Sequence, residues 1–588
     1  MAIRRDARTL ANPRHCYNAA TFDFVGARLQ LTLLAIAFVA FLSIGYRLYG
    51  AWIARQFTID DARVTPARTV DDGIDFVPTR RFYLFGQHFS AIAAAGPIAG
   101  PIIACQAFGW LPCVLWIALG VVLIGAVHDF AALVASVRHR AQSIAEIVRE
   151  HLGARAGIAM MLFIWIALVY VIVAFADITA GSFVGTTEEL AGAEILFNPG
   201  GAVAAASVLY LLLAILMGVI QRFLNPPLWL LTVIFVPATF GAVWAGTMIS
   251  TLLIMDARSW GLLILLYCAI ASMVPVWALL QPRGYLGGFV LYFALGIGVI
   301  GILLGGYDIE QPAFRSWDVG GMTGTLFPFL FVTIACGACS GFHGLVCSGT
   351  TSKQIDRESD MKPVGYGAML AEGFVALIAL VTVMIVADEG LAGLKPGTIY
   401  GNGIGRFMTL VIGAEHLNFA ITFGAMAFTT FVFDTLDVST RLGRYIVQEI
   451  LGWRTFKGAI AGTLLTIALP VYFVSFAPEG SWVRFWTLFG ASNQLLAALT
   501  LLAITVWLRQ ARHRIGFTLV PMLFVLVITL WALAKLTLAN FVASRGFDVA
   551  MINAIAAGSL ICLAIYLVIR ALITLREDRG AATLAPST

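Results

Sequence analysis

The segment TIACGACSGFHGLVCSGTTSK, residues 333–353, decides the fold that the sequence predicts. It continues an apolar run, GTLFPFLFVTIA at residues 324–335, that has the composition of a membrane-spanning helix. Glycine and hydroxyl side chains then crowd the chain, which weakens a helix and leaves backbone groups in need of partners. Interrupted spans mark the substrate sites of many transporters, although close helix packing through small residues is an alternative. The predicted substrate-binding residues of this segment are Gly337, Ser340, Gly341, His343, Ser348, Thr350 and Thr351.

The composition excludes a soluble globular protein. Of the 588 residues 60% are hydrophobic and 12% are charged, and the mean hydropathy is +0.91. Such a chain is an all-α, polytopic integral membrane protein. Its net charge of +5 reflects arginines in loops, where they set membrane topology, and gives no indication of nucleic-acid binding. The eight cysteines show no paired spacing in loops, which favours free thiols over a disulfide framework.

About 15 segments have the roughly 20 apolar residues that a membrane span needs. The predicted organisation is a basic segment at 1–28, a membrane region at 29–387, an extracytoplasmic loop at 388–416, a membrane region of five helices at 417–574 and a tail at 575–588. Arginines between Arg55 and Arg81 place that loop in the cytoplasm by the positive-inside rule. The other basic loops and the C-terminus then fall on the same side, whereas the basic segment at 1–28 falls outside.

A second interrupted span is predicted at residues 86–106, GQHFSAIAAAGPIAGPIIACQ. Two prolines four residues apart remove two backbone donors and clash with preceding carbonyls, so the helix must kink or unwind. A kink that only shapes the bundle is the alternative. The predicted substrate-binding residues here are Gly96, Pro97, Gly100, Pro101 and Gln106.

Four ionisable side chains at apparent membrane depth are candidates for proton coupling: Asp437, Glu372, Asp129 and His88. A charge at the centre of a bilayer costs at least about 3 kcal/mol, so such groups face a cavity or pair with one another. Desolvation also favours the protonated carboxyl group, which suits a proton carrier. The alternative is a buried carboxylate that pairs with Lys353 or Arg441 for structure alone.

Two adjacent amides, Asn493 and Gln494, lie within an apolar span and are predicted to hydrogen-bond across helices or to contact substrate. Cys336, Cys339, His343 and Cys347 have a spacing that resembles that of soft-metal ligands. Cysteines in membrane helices are more commonly small packing residues, so no metal site and no cofactor are predicted.

Four motifs together resemble the carbon starvation protein A (CstA) family: GQHFSAIAAAGPIAGP at 86–101, IGAVHDF at 124–130, LFPFLFVTIACGACSGFHGLVCSGTT at 326–351 and LFGASNQLLA at 488–497. The resemblance covers roughly residues 46–514. It implies a bacterial cytoplasmic membrane protein with the inverted five-helix repeats of amino acid–polyamine–organocation transporters. It also implies either peptide utilisation or proton-coupled uptake of pyruvate during carbon starvation. The two interrupted segments lie seven spans apart rather than five, so the sequence leaves open which helices are repeat partners.

The predicted function is therefore secondary transport, with protons and either pyruvate or short peptides as the small-molecule partners. A membrane sensor or channel without active transport is a rival of another class. An enzyme or haem protein is a weaker rival, because His88, His128, His343 and His416 show no spacing that pairs them as ligands. The oligomeric state is not predicted.

Overall fold

The protein is built almost entirely from helices. A computed structural model describes residues 31–72, 75–93, 95–189, 196–321, 324–453, 455–477 and 482–584. The basic segment predicted at 1–28 lies outside these residues. One small antiparallel pair of strands, β1 (Glu188–Glu189) and β2 (Leu196–Phe197), connects two helices.

The first half of the chain contributes thirteen helices among the described residues. A π-helical turn at Val121–Gly125 joins the sixth helix to the seventh, so that Trp110–Arg138 is one continuous span. The helices are α1 (Leu31–Arg47), α2 (Tyr49–Gln56), α3 (Pro66–Val70), α4 (Arg81–Ile92), α5 (Gly96–Phe108), α6 (Trp110–Gly120), α7 (Ala126–Arg138), α8 (Ile144–Leu152), α9 (Ala154–Ser182), α10 (Pro199–Leu224), α11 (Leu228–Met248), α12 (Ala257–Met273) and α13 (Leu280–Leu304).

The described part of the second half contributes nine more. A second π-helical turn, Lys362–Gly367, precedes the third of them. The helices are α14 (Leu326–Thr333), α15 (Gly341–Gly349), α16 (Ala368–Met384), α17 (Pro396–Ile412), α18 (Leu417–Leu451), α19 (Phe456–Phe476), α20 (Trp482–Gln510), α21 (Gly516–Ala543) and α22 (Val549–Leu584).

Twelve of the described helical segments are long and apolar enough to cross a membrane, or thirteen when the bent pair α4–α5 counts as one span. The prediction of about 15 spans differs for a physical reason. Besides the bent pair, it included Ala257–Met273, a helix of only 17 residues, and the segment near 325–350, which folds as two short helices. The all-helical membrane fold is thus confirmed, and the two predicted interruptions account for most of the difference in count.

The predicted loop at 388–416 is mostly helical, because α17 occupies Pro396–Ile412. Its glycine-rich face packs on α18: a Cβ at Gly401 would meet the backbone of Ala425, and one at Gly405 would meet Ile421. Small residues let two helix backbones approach closely. The region at 417–574 contains the predicted five helices, α18 to α22, and the last of them continues to Leu584.

Burial separates central from peripheral helices. In the 18-residue apolar stretch of each helix, 94% of the residues of α20 and 78% of those of α9 are buried, against 28% of those of α11. A helix buried on all sides is central to the bundle, whereas an exposed apolar helix faces lipid. Residues carried by α20 are therefore positioned to contact several other helices at once.

One buried carboxylate, Glu358, ties together three segments at one end of the bundle. It accepts hydrogen bonds from the backbone N–H of Asp60 and from Arg63 and Arg138, at 2.9 to 3.2 Å. Nearby, a hydrogen bond from Arg68 holds the pKa of Asp356 below its usual value. The loop that follows α2 is thereby fixed to α7 and to the segment that precedes α16.

Candidate functional site

The two interrupted helices meet at their breaks. The first break lies between α4 and α5, whose axes differ in direction by 46°, and the second occupies the residues between α14 and α15. A Cβ at Gly96 would clash with the Cys336 side chain, and one at Gly100 would meet the carbonyl oxygen of Thr333. A Cβ at Gly337 would lie 3.6 Å from Cα of Pro97. The predicted glycines of both segments thus allow one break to contact the other.

Two amides of α20 satisfy backbone groups that the second break exposes. The side-chain oxygen of Asn493 accepts from the N–H of Phe342 at 2.9 Å, near the start of α15, and its nitrogen donates to Ser340 at 3.0 Å. Gln494 donates to the carbonyl of Phe331 at 2.9 Å. An open helix end needs such partners because its first N–H groups have none within the helix. The predicted hydrogen bonds across helices are confirmed.

A buried chain of ionisable groups adjoins this break. His343 Nδ1 lies 2.8 Å from Asp129 Oδ2, and its Nε2 lies 3.1 Å from Glu372 Oε2. Asp129 Oδ1 in turn lies 2.7 Å from His128 Nδ1. All four side chains are at most 1% exposed. The chain joins α7, α15 and α16, so the proton-coupling candidates Asp129 and Glu372 are linked through His343, which the sequence placed among the substrate-binding residues.

Two members of this chain are incompletely satisfied: His128, whose Nε2 has no hydrogen-bond partner among the described residues, and Glu372. Its contact with His343 is short enough for an ion pair but lacks hydrogen-bond alignment, and neither carboxylate oxygen has a hydrogen-bond partner among the described residues. With His343 as an imidazolium, the two carboxylates leave the group with one net negative charge. A net charge is costly in a buried site, and a proton on Glu372 would remove it.

His88 contacts the C-terminal end of α15. Its Nδ1 lies 2.8 Å from the Thr351 hydroxyl, and its Nε2 lies 3.9 Å from Cys347 Sγ. Cys347 also lies 3.4 Å from the carbonyl oxygen of Asp129. His88 therefore contacts the segment that carries His343 without touching either carboxylate directly.

Four other predicted binding residues are hydrogen-bonded to backbone groups elsewhere or lie further along α5. Ser348 donates to the carbonyl of Gly344 and accepts from the N–H of Ile144. Thr350 is exposed at the end of α15 and donates to the carbonyl of Val346. Gln106 lies near the far end of α5, and Pro101 is buried one turn after the break.

Gly341 packs against α20 rather than facing an open space, since its Cβ would meet the backbone of Asn493 and Ala497. We therefore expect Gly341→Ala to cost about 1–3 kcal/mol of stability, as overpacking does, and to lower the melting temperature of the purified protein. Gly349→Ala is the matched control at the other end of α15, where a Cβ meets nothing within 4 Å. Equal melting temperatures for the two variants would contradict this packing role.

A second buried ionic cluster centres on Arg283, which is 2% exposed. Its Nε donates to Asp434 at 3.0 Å, and its guanidinium also pairs with Asp437 and with the hydroxyl of Tyr267. Arg283 is not among the residues that the sequence predicts for a site, because it lies between two apolar runs, beside Pro282 and Gly284. The cation that pairs with these aspartates is thus neither Lys353 nor Arg441, the two partners considered from the sequence: Lys353 lies 3.8 Å from Asp75, and Arg441 donates to backbone carbonyls.

A cavity of about 220 Å³ lies beside Arg283. Its walls are largely aromatic and aliphatic, and the hydroxyl of Thr430, which lines it, has no hydrogen-bond partner among the described residues. An apolar cavity with a few polar groups at one end is the usual form of a small-molecule site. Asp437, predicted as a proton carrier, belongs to the cluster beside this cavity and not to the chain that contains Glu372.

The comparisons with known proteins agree with the resemblance seen in the motifs. Residues 30–402 and 393–532 match the model of the family described as carbon starvation protein CstA. The chain belongs to the CstA family. The peptide transporter CstA of Campylobacter jejuni is 32% identical over 86% of this chain and 80% of its own length. The pyruvate/proton symporter BtsT of Escherichia coli strain K12 is 31% identical over 86% of this chain and 82% of its own length.

Membership of the CstA family, together with the apolar spans, identifies a multi-pass transporter of the bacterial cytoplasmic membrane. Among solved structures, a mutant of the manganese transporter of Eremococcus coleocola aligns with 84% of this chain and 95% of its own, with a TM-score of 0.44 and 14% identity. The two CstA family relatives are named for different substrates, peptides and pyruvate, so the substrate of this family member depends on its own residues.

Proposed function

We propose that this transporter takes up pyruvate together with a proton, and that Glu372 carries the proton. The observation that carries the proposal is the buried pair of His343 and Glu372 at the meeting point of the two breaks, with both Glu372 oxygens otherwise unpartnered. A carboxylate held in this way can gain a proton without losing a hydrogen bond. The imidazolium of His343 keeps its second partner, Asp129, at 2.8 Å.

The coupling between proton and pyruvate follows from the charges of Glu372 and His343. Protonation of Glu372 removes the attraction that holds His343 Nε2, and that N–H then becomes available to another carboxylate. The carboxylate of pyruvate is such a group, and the start of α15 adds a positive helix end. Binding of the anion therefore requires the proton first, which gives symport of one proton with one pyruvate. The close contacts among Gly96, Gly100 and the second break describe a closed conformation that must open to admit substrate.

The test is uptake by purified protein in liposomes. We expect pyruvate to accumulate inside when the external pH is lowered, because the inward proton gradient drives the coupled step, and a protonophore to abolish the accumulation. Radiolabelled pyruvate, measured against protein-free liposomes, checks this result. Accumulation of neither pyruvate nor peptides would favour the sensor or channel, which performs no active transport.

Short peptides are the second candidate substrate, and the Arg283 cluster favours them. A peptide carries an ammonium group, which pyruvate lacks. The cluster holds two carboxylates against one guanidinium, and its excess negative charge would attract that group. The aromatic walls of the adjacent cavity suit apolar side chains. Accumulation of di- and tripeptides without pyruvate in the same liposomes would replace the first proposal with this one.

A further inference from the structure

The turn between α7 and α8 brings two histidines together at the end of the bundle that also holds Glu358. His139 follows the last residue of α7, and α8 carries Glu150 and His151. The Nε2 atoms of the two rings are 2.8 Å apart. One side-chain ligand atom from each of the three residues lies within 4.8 Å of the other two. This cluster lies apart from both buried ionic clusters and has no part in the proposed transport step.

The hydrogen bonds at the far side of each ring fix its tautomer. His139 Nδ1 lies 2.6 Å from the carbonyl oxygen of Ala135, which can only accept, so Nδ1 carries a proton. His151 Nδ1 lies 2.6 Å from the side-chain oxygen of Gln510, which also accepts. In neutral rings both Nε2 atoms therefore present lone pairs to each other. Two lone pairs at this distance repel, unless a cation lies between them.

The third residue distinguishes a metal ion from a shared proton. A proton between the rings would need no further ligand, whereas a metal ion recruits more, and the exposed side chain of Glu150 can close on it. Two imidazoles and one carboxylate are a donor set that zinc uses in proteins, with a fourth position open to water. Two nitrogens that bind one zinc ion tetrahedrally at about 2.0–2.1 Å lie about 3.3 Å apart, so the rings, now 2.8 Å apart, would have to separate slightly to admit the ion.

We propose that His139, Glu150 and His151 bind a divalent transition-metal ion of the zinc type. Ala135 and Gln510 orient the two imidazoles through Nδ1, which is the role that outer partners have in many metal sites. The bound ion joins α7, which carries Asp129, to α8, and Gln510 connects both to α20.

The backbone of the turn is held in the geometry that the site needs. Arg140 and Ala141 adopt φ angles of +58° and +59°, a left-handed backbone conformation that residues other than glycine rarely adopt. The hydroxyl of Ser136 donates to the carbonyl of Gln142 at 2.7 Å and closes the turn. Strain of this kind is retained where surrounding contacts require one conformation, and here it directs His139 toward α8.

The test is zinc binding by the full-length protein in detergent after treatment with a chelator. We expect one equivalent of Zn²⁺ to be retained through size-exclusion chromatography and to raise the melting temperature, because an ion that binds only the folded state stabilises it. The double variant His139→Gln, His151→Gln should lose both effects. Gln510→Leu, which leaves all three ligands in place, should weaken zinc binding by about 10- to 100-fold, as loss of an outer partner does.

His416→Gln is the matched control, because His416 is an exposed histidine on another part of the chain, before α18. It should retain one equivalent of zinc with unchanged affinity. Equal zinc retention by the wild type and the double variant would overturn the proposal. So would a wild type that binds no zinc at micromolar concentration, since the rings would then share a proton instead.

Discussion

Glu372→Gln should abolish the accumulation of pyruvate driven by a proton gradient while leaving a folded protein. Glutamine keeps the shape of the side chain and removes its charge, so the group of Asp129, His343 and residue 372 becomes neutral, as in the proton-loaded state. We expect uptake in liposomes to fall to the level of protein-free vesicles. Exchange of labelled internal pyruvate for external pyruvate needs no net proton movement and should persist.

The control for this variant is Glu389→Gln, which removes an exposed carboxylate from a short helical turn outside the spans. Accumulation of pyruvate by the Glu389→Gln variant should equal that of the wild type. A Glu372→Gln protein that still concentrates pyruvate under an inward proton gradient would show that the proton is carried elsewhere, and Asp437 would be the next carboxylate to neutralise. Loss of exchange together with accumulation would indicate a role of Glu372 in substrate binding or folding, not in coupling alone.

Arg283→Met should have the largest effect on stability. The substitution leaves two aspartates, one of them fully buried, without their cation. Breaking a buried ion pair by removing one partner costs about 3–5 kcal/mol, because the remaining charge is uncompensated. We expect little folded protein in detergent by size-exclusion chromatography, and a melting temperature well below that of the wild type for the fraction that remains.

Replacing the two aspartates with neutral residues should restore the stability that Arg283→Met loses. Arg283→Met combined with Asp434→Asn and Asp437→Asn removes all three charges, so that no uncompensated charge stays buried. Arg315→Met is the matched control, because Arg315 pairs with the half-exposed Asp388 and such pairs contribute about 0–1 kcal/mol. If the triple variant melts as low as Arg283→Met, then Arg283 stabilises the protein through packing and not through its charge.

The sequence by itself determined the features that depend on local chemistry. A run of apolar residues must span the membrane, because its backbone can be satisfied there only as a helix. Gly96–Pro97 must interrupt such a helix, and the glycines and hydroxyls after Thr333 must do the same. Gly100–Pro101 is expected from the sequence to widen the first interruption, but it lies within the continuous helix α5. Both interruptions are present, and the adjacent amides Asn493 and Gln494 do hydrogen-bond across helices as predicted.

Only the tertiary structure decided which polar groups are partners. His343 and Asp129 are separated by 214 residues, and Arg283 and Asp434 by 151, so no spacing in the sequence relates them. Arg283 stands beside a proline and a glycine and has the local pattern of a loop, yet it lies in the first turn of α13 and is buried. A charge enters such a site only because two aspartates from another helix meet it there, and that meeting depends on how the helices pack.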